Sequence, residues 1–253
     1  MTILLQLYMD YSADKLDLLV ITVHPDDAEL GCAGTILKHV SLGKKVGLVD
    51  LTQGELGTRG TVEIRAEEAA NASKILGVEV RENLKLRDGF FKNDEEEQFD
   101  VIRVIRKYRP EIIISNALFD RHPDHGRSGD LINDACFLAG LRKIQTLLDG
   151  QMQEPHRPRL LLQSIQDYYI KPDIAVDISN FWEKKVESIK AYQSQFFNEN
   201  YREDEPQTYI SNPDFLQVVE ARAREYGKYI GAKYAEGFTC RRILGVDNLF
   251  DLR

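Results

Sequence analysis

Two short polar motifs contain the residues whose types and spacing are suited to chemistry. The first is HPDD at residues 24–27, with one histidine and two adjacent carboxylates. The second is HPDH at residues 122–125, with two histidines on either side of Pro and Asp. These motifs hold three of the chain's five histidines. The other two, His39 and His156, stand alone and are expected to be ordinary surface or packing residues.

Two histidines and one carboxylate form a common ligand set for catalytic zinc, which keeps a further position for water. Such an ion lowers the pKa of its water to about 7, so that hydroxide forms near neutral pH. Either motif alone would also make a good turn into a helix, with Asp as the cap. The two together favour a metal site, with acids and one histidine left for proton transfer. The spacing leaves open whether Asp26 or Asp27 is the ligand.

Strands and helices alternate around the two motifs. Short apolar segments rich in β-branched residues predict strands at 16–23, 45–52, within 78–86 and at 111–115. A helix is predicted after each strand, ending near Gly43, at Gly77, before Pro110 and near Leu148; the last of these would begin at about Ser128. The later segments LLLQSI and IAVDIS predict two more strands, and helices are expected near 181–196 and 214–233.

This alternation predicts an α/β, Rossmann-like fold with a mainly parallel sheet and helices on both faces. We expect residues 1–15 to be an N-terminal extension and residues 16–253 to be a single domain. Ligands of such sheets bind beyond the carboxyl ends of the strands. Polar clusters follow all four early strands there, namely HPDD, QGELGTRG, RDG and RHPDH. The sequence therefore predicts that four loops converge on one rim.

Composition narrows the classes of function. The formal net charge of −8 argues against a general nucleic-acid binder. The N-terminus has no basic segment typical of a secretory signal, and the first apolar run is too short to span a membrane, so we expect a cytoplasmic protein. The chain contains no GxxxxGK[ST], GxGxxG or GxSxG motif. Its three cysteines are far apart, which predicts small buried thiols and no disulfide framework.

The segments HPDDAELG and RHPDHGR resemble the two signatures of the LmbE-like, or PIG-L-type, zinc de-N-acetylases. The resemblance extends over nearly the whole chain from about Leu16, through LTQGELGTRG, TVEIRAEEAANASKILG, DGFF, AYQSQF and YAEGF. The branch it is most similar to is the bacillithiol-biosynthesis deacetylases. The resemblance therefore implies hydrolysis of N-acetylglucosaminyl-malate to the free amine and acetate. It also implies that the protein is a homo-oligomer, either a trimer or a hexamer.

Carried over by position, the resemblance implies a set of zinc ligands, which are His24, Asp27 and His125. Asp26 would then be the general base that takes a proton from water. His122 would stabilise the oxyanion or protonate the leaving amine, and Asp124 would orient it, as carboxylates orient catalytic imidazoles.

The resemblance also implies residues that contact the substrate. Arg65 matches a substrate-binding arginine, although a surface salt bridge with a neighbouring glutamate is an equal alternative. Arg59 is expected to be a second cation near the pocket, or simply a loop charge. Some relatives have an oxyanion-binding tyrosine on the late loop, where this chain has Phe215. Tyr209 lies nearby in the sequence and is the candidate to replace it.

Three alternatives remain open at this point. The first is a deacetylase for another amide, such as a chitin fragment or a lipid-linked glucosamine. The second is a non-catalytic metal- or nucleotide-binding α/β module, which would need neither Asp26 nor the pair of His122 and Asp124. The third is a metallophosphoesterase, for which the rim has few acids to bind two metals.

Overall fold

The structure is a computed structural model that describes residues 15–197 and 206–252. All but the last residue of the predicted N-terminal extension lies outside these ranges. The strands are β1 (Leu18–Thr22), β2 (Val46–Thr52), β3 (Val80–Leu86), β4 (Ile112–Ser115), β5 (Leu147–Leu148), β6 (Gln151–Met152), β7 (Leu160–Ser164), β8 (Ile174–Asp177) and β9 (Ala235–Thr239). The helices are α1 (Asp27–Ser41), α2 (Val62–Leu76), α3 (Glu95–Tyr108), α4 (Pro123–Ala139), α5 (Trp182–Lys190) and α6 (Phe215–Ile230).

The main sheet has seven strands in the order β3-β2-β1-β4-β7-β9-β8. The first five are parallel, and β9 pairs antiparallel with both β7 and β8. The predicted α/β fold with a mainly parallel sheet is confirmed. Strand order reverses between β1 and β4, which is the kind of switch point where α/β sheets bind ligands. The segments that follow these two neighbouring strands are HPDD and RHPDH.

The core lies on both faces of the sheet. Leu19 and Ile21 of β1 pack in a buried cluster with residues of α3 and α4. Leu18 and Val20 point the other way, into a cluster with residues of α1. Alternate residues of a strand face opposite sides, so a strand covered on both faces is apolar throughout. This burial explains why β1 was visible in the sequence as a continuous apolar run.

Two helices show where sequence prediction of helix ends succeeds and fails. Helix α2 has the predicted bounds: Thr61 accepts a hydrogen bond from the Ile64 amide at its start, and Gly77 ends it with φ 71°. The prediction that the fourth helix runs from about Ser128 to Leu148 is wrong, because α4 is Pro123–Ala139. Proline is favoured in the first turn of a helix, and α4 begins at Pro123, inside the HPDH motif.

Strand β9 was not predicted. Its sequence, AEGFT, contains a glutamate and a glycine and lacks the β-branched run of a typical buried strand. Two of the cysteines, Cys32 and Cys136, are buried free thiols, as predicted, and Cys240 is a partly exposed free thiol. None of the described helices is long and apolar enough to cross a membrane.

Candidate active site

The pairing of β1 with β4 brings the two motifs together. These strands run parallel in register, with Leu18 opposite Ile112 and Ile21 opposite Ser115. Asn116, directly after β4, accepts a hydrogen bond from the Val23 amide at 2.9 Å and donates one to Asp27 Oδ2 at 3.2 Å. The first turns of α1 and α4 therefore start side by side at one edge of the sheet.

Three imidazoles and one carboxylate meet at this edge. The ring centroids of His24, His122 and His125 are 4.8 to 5.7 Å apart. Asp27 lies between two of them, since its Oδ2 is 3.4 Å from His24 Nδ1 and its Oδ1 is 3.2 Å from His125 Nε2. Asp27 Oδ1 also accepts a hydrogen bond from Gln166 at 2.8 Å. The predicted ligands His24, Asp27 and His125 are thus brought into contact.

These distances fit a tetrahedral metal site. Zinc bonds of about 2.0–2.1 Å place neighbouring ligand atoms about 3.3 Å apart, close to the two separations at Asp27. Among the described residues, two triads have ligand atoms within 4.8 Å of one another, and Asp27 is in neither: His24, His122 and His125, and His24, Asp88 and Asp124. The donor set at this edge is therefore rich enough to hold a divalent ion. The choice of Asp27 over His122 as the third ligand stays a prediction.

Each predicted ligand histidine contacts a second carboxylate through its other ring nitrogen. His24 Nε2 lies 3.0 Å from Asp88 Oδ1, and His125 Nδ1 lies 2.9 Å from Asp120 Oδ2. Metal-binding histidines commonly make such contacts, which fix the tautomer and the ring orientation. Sequence reasoning gave no role to Asp88 or Asp120. The available signal was their position, since Asp88 lies in the RDG cluster after β3 and Asp120 in the loop after β4.

These carboxylates control the charge of the two imidazoles. Burial lowers the pKa of His24, but hydrogen bonds with Asp27 and Asp88 outweigh it and raise the pKa to about 9. Burial likewise lowers the pKa of His125, and the charges and hydrogen bonds of Asp27 and Asp120 raise it to about 10. The surrounding carboxylates therefore stabilise positive charge at this edge of the sheet.

Asp26 has an unusual backbone and a buried carboxylate. Its φ is 127°, in a region that non-glycine residues rarely adopt. The side chain of Arg65, also buried, donates from Nη2 to the Pro25 carbonyl at 2.7 Å and to Asp26 Oδ2 at 3.2 Å. Burial raises the pKa of Asp26 to about 7, although the positive charge of Arg65 opposes this change. Asp26 and Asp27, adjacent in sequence, thus point to different partners.

Arg65 is anchored on three sides by its own chain. Its Nη1 donates to the Gly54 carbonyl at 3.2 Å, in addition to the contacts with Pro25 and Asp26. Gly54 has φ 65°, and a Cβ atom there would lie 2.0 Å from Arg65 Nη1. The loop after β2 therefore needs glycine at position 54, because any side chain there would clash with the guanidinium of Arg65. The expected salt bridge of Arg65 with a neighbouring glutamate is replaced by one with Asp26; contact with a substrate stays a prediction.

His122 and Asp124 lie on the same edge. His122 is half-buried, and burial lowers its pKa with help from the charges of His24 and His125. The buried carboxylate of Asp124 accepts hydrogen bonds from the Gly89 amide at 2.7 Å and from Arg127 at 2.6 Å. The contact between Asp124 and His122 is from the Asp124 amide to His122 Nδ1, at 3.3 Å. An orienting role for the Asp124 carboxylate stays a prediction.

The remaining predicted residues are Arg59, which lies before α2, and Tyr209, which lies in the segment before α6. Arg59 is buried and donates to the carbonyls of Ser194 at 3.0 Å and Pro206 at 3.3 Å. Tyr209 and Phe215 line one cavity with His122 and His125, and their rings contact each other at 5.4 Å. The structure thus places Tyr209 at the mouth of the site and Arg59 at the base of its loop. Substrate contact by either residue stays a prediction.

The two isolated histidines lie elsewhere, as predicted. His39 Nδ1 is 2.7 Å from the Thr35 carbonyl on α1, and His156 Nε2 is 2.7 Å from the Pro110 carbonyl. Both bonds are structural.

A family model and several known proteins match this chain. Residues 19–136 match the family described as "PIG-L: GlcNAc-PI de-N-acetylase". The chain is similar to diacetylchitobiose deacetylase of Thermococcus kodakarensis, with 33% identity over 237 residues that cover 88% of this chain and 82% of the relative. It is also similar to a probable N-acetyl-α-D-glucosaminyl L-malate deacetylase 2 of Bacillus anthracis, with 26% identity over 70% of this chain and 80% of the relative.

The fold comparison agrees. The structure is similar to that of a conserved protein from Thermus thermophilus, with a TM-score of 0.80 and 36% identity. The match covers 92% of this chain and 98% of the Thermus chain. The relatives therefore share the whole described architecture and not only the two motifs.

Proposed function

Since this chain belongs to the PIG-L (LmbE-like) family of metal-dependent deacetylases that act on N-acetylglucosamine-type substrates, we propose that it uses zinc to deacetylate a short N-acetylglucosamine saccharide of the diacetylchitobiose type. The observation that carries the proposal is the junction of β1 and β4. There Asp27 contacts both His24 and His125, with Asp26 beside it.

We assign the ion to His24, Asp27 and His125. When bound, zinc supplies Lewis acidity, which polarises a carbonyl and lowers the pKa of water. The protein fixes the orientation of both imidazoles, because Asp88 and Asp120 contact the ring nitrogens that face away from Asp27. Fe²⁺ and Co²⁺ accept the same ligand types, so the assignment of zinc itself rests on the family resemblance.

Asp26 is the proposed general base. Its carboxylate lies next to the ligand cluster and is held by Arg65. In this role it takes a proton from water as the water oxygen bonds to the acetyl carbon. The C–N bond then breaks, the proton passes to the departing nitrogen, and acetate and the free amine remain. General-base catalysis of this kind typically contributes about 10²- to 10⁴-fold to the rate.

His122 is the proposed partner of Asp26 on the other side of the amide. It is half-buried on the cavity wall, and its ring centroid is 5.2 Å from that of His125. An imidazole in this position is within reach of the carbonyl oxygen or the leaving nitrogen. Tyr209 lines the same cavity and is a proposed substrate contact.

Two observations favour a saccharide over a malate conjugate. The relative that acts on diacetylchitobiose has the higher identity over the larger part of this chain. Malate carries two carboxylates, and two arginines, Arg121 and Arg222, line the cavity. Arg121, however, is 2.6 Å from Asp167, which neutralises its charge. N-acetylglucosaminyl-malate, the substrate of the bacillithiol branch, is the second candidate because Arg222, which donates to the Asp167 carbonyl at 2.6 Å, also brings its positive charge to the cavity.

Acetate release tests the proposal directly. The zinc-loaded protein is assayed with N-acetylglucosamine, diacetylchitobiose and N-acetylglucosaminyl-malate, beside the same protein stripped by a chelator. We expect the highest kcat/KM with diacetylchitobiose and no release after chelation. A clear preference for the malate conjugate would establish the second candidate, and release from none of the three would refute the proposed substrate class.

A further inference from the structure

Three exposed aromatic side chains lie beside the histidine cavity, and we call them the aromatic rim: one lines the cavity itself, and the other two are adjacent in sequence to the lining residues Asp120 and Asp167. They are Phe119, Tyr168 and Tyr209, which are 57%, 49% and 47% exposed. They come from the loops after β4 and β7 and from the segment before α6. Large aromatic side chains are costly to leave in water, so three of them at one opening indicate a surface that a ligand covers.

Phe119 and Tyr168 are held close to the metal-binding histidines. Their ring centroids are 6.4 Å apart and the planes are tilted by 49°. Asp120, next to Phe119 in sequence, accepts a hydrogen bond from the Tyr168 amide at 3.2 Å through Oδ1. Its Oδ2 is 2.9 Å from His125 Nδ1. One carboxylate thus contacts both a proposed ligand histidine and the backbone of Tyr168.

Tyr209 continues the rim through polar contacts. Its hydroxyl donates to Asp167 Oδ1 at 3.2 Å, and Arg121 donates to Asp167 Oδ2 at 2.6 Å. The guanidinium of Arg121 also lies 4.7 Å above the Tyr209 ring. Asp167 precedes Tyr168, so the three rings are joined by a network of hydrogen-bonding groups. The rim therefore alternates flat apolar surfaces with charged donors and acceptors.

We propose that the aromatic rim is a subsite for a second sugar ring, which it binds when the N-acetylated ring occupies the histidine cavity. The inference rests on the proposed function and adds which residues bind the second ring of the saccharide. A pyranose ring has flat C–H faces that stack on aromatic rings, and its edge carries hydroxyls that bond to groups such as Asp167 and Arg121. The rim offers both kinds of contact at one edge of the cavity.

The composition of the rim favours a sugar over the other possible occupants. An acyl chain has no hydroxyls to satisfy Asp167 and Arg121, and it would leave these charges desolvated. A small anion would need an unpaired cation at the rim, whereas Arg121 is paired with Asp167 and Arg222 donates to the Asp167 carbonyl. Tyr209 also lines the cavity that contains His122 and His125, so this end of the rim is continuous with the cavity. The remaining occupant is a second copy of this chain, and the test below measures it.

Two variants and a matched control test the subsite. Phe119→Ala and Tyr168→Ala each remove one ring. Phe137→Ala removes an equally exposed ring, 57%, that lies twelve residues beyond His125 on α4, about 18 Å along the helix. The readout is the ratio of kcat/KM for diacetylchitobiose to that for N-acetylglucosamine. We expect the ratio to fall about threefold to tenfold in the rim variants, as for a lost aromatic contact, and to stay unchanged in Phe137→Ala.

Binding measured without turnover separates this inference from the proposed function. Saturation-transfer NMR with diacetylchitobiose should show contact with wild type and Phe137→Ala and weaker contact with the rim variants, even if no acetate is released. Equal binding and an equal ratio in all four proteins would overturn the subsite while leaving deacetylation intact. A lower molar mass of the rim variants in light scattering, with an unchanged ratio, would instead assign the rim to contact between copies and also overturn it.

Discussion

The guanidinium of Arg65 lies 3.2 Å from the carboxylate of Asp26, and the same nitrogen donates to the carbonyl of Pro25. Asp26 has a φ of 127°, which costs on the order of 1–3 kcal/mol and persists only when neighbouring contacts enforce it. Arg65 supplies two of these contacts. A helix residue thus positions the proposed base, and this relationship changes the role expected for Arg65 in catalysis.

Arg65→Lys should lower kcat more than it raises KM. Lysine has no planar fork and cannot make the bonds to Pro25, Asp26 and Gly54 together. A misplaced base typically costs up to about 100-fold, so we expect kcat to fall roughly 10- to 100-fold, with zinc content unchanged. Steady-state kinetics measures both parameters. A raised KM with normal kcat would instead support the direct substrate contact implied by the family resemblance.

Asp26→Asn and Asp27→Asn should separate the base from the ligand. Asp26→Asn keeps the shape but loses basicity, so it should retain one zinc per chain while kcat falls about 10²- to 10⁴-fold. Asp27→Asn should lose zinc, because a neutral amide replaces the carboxylate between His24 and His125. Metal analysis beside turnover distinguishes the two. Loss of zinc from Asp26→Asn with retention in Asp27→Asn would show that the roles are reversed.

His125→Ala should lose nearly all of the bound metal, and Asp120→Asn should weaken binding without abolishing it. Asp120 contacts the nitrogen of His125 that faces away from Asp27. Loss of such a partner typically reduces metal affinity about 10- to 100-fold. Asp88→Asn should behave similarly through His24.

Competition with a chelator measures these affinities. Asp130→Asn is the control, because Asp130 is an exposed acid five residues after His125 on α4. Unchanged affinity in Asp120→Asn and Asp88→Asn would mean that the two carboxylates do not support the metal ligands. Two zinc ions per wild-type chain would contradict the single site.

Glu236→Ala should destabilise the fold. Helix α1 is kinked at Cys32, and Glu236 on β9 accepts the amides of Gly34 and Thr35 that follow the kink, at 2.9 and 2.7 Å. The buried Lys185 donates to the same carboxylate at 2.6 Å. Removing Glu236 leaves a buried charge unpaired, which typically costs about 3–5 kcal/mol.

The free energy of unfolding in urea checks this expectation. Glu220→Ala breaks an exposed pair with Arg224 and should change it by less than about 1 kcal/mol. Equal stabilities of the two variants would contradict the support of α1 by Glu236.

The sequence by itself determined the elements and the chemistry of the two motifs. Strand β1 is buried on both faces, which imposes a continuous apolar run that is legible without a structure. HPDD and HPDH combine histidine and aspartate directly after such strands, and the chain has only five histidines, so these motifs stand out. Local signals, such as the Thr61 cap and Gly77, also located α2 because they act within one turn.

Only the tertiary structure decided which side chains meet. The order of the strands places β1 beside β4, and this depends on long-range packing that no local pattern encodes. The tertiary structure also decided the contact between His24 and Asp88, which are 64 residues apart in the chain. Asp120 is only five residues from His125, but the sequence did not show that its carboxylate contacts the imidazole. The different directions of Asp26 and Asp27 follow from a φ of 127° at Asp26. That strained backbone is held by Arg65, 39 residues later, and sequence spacing carries no information about it.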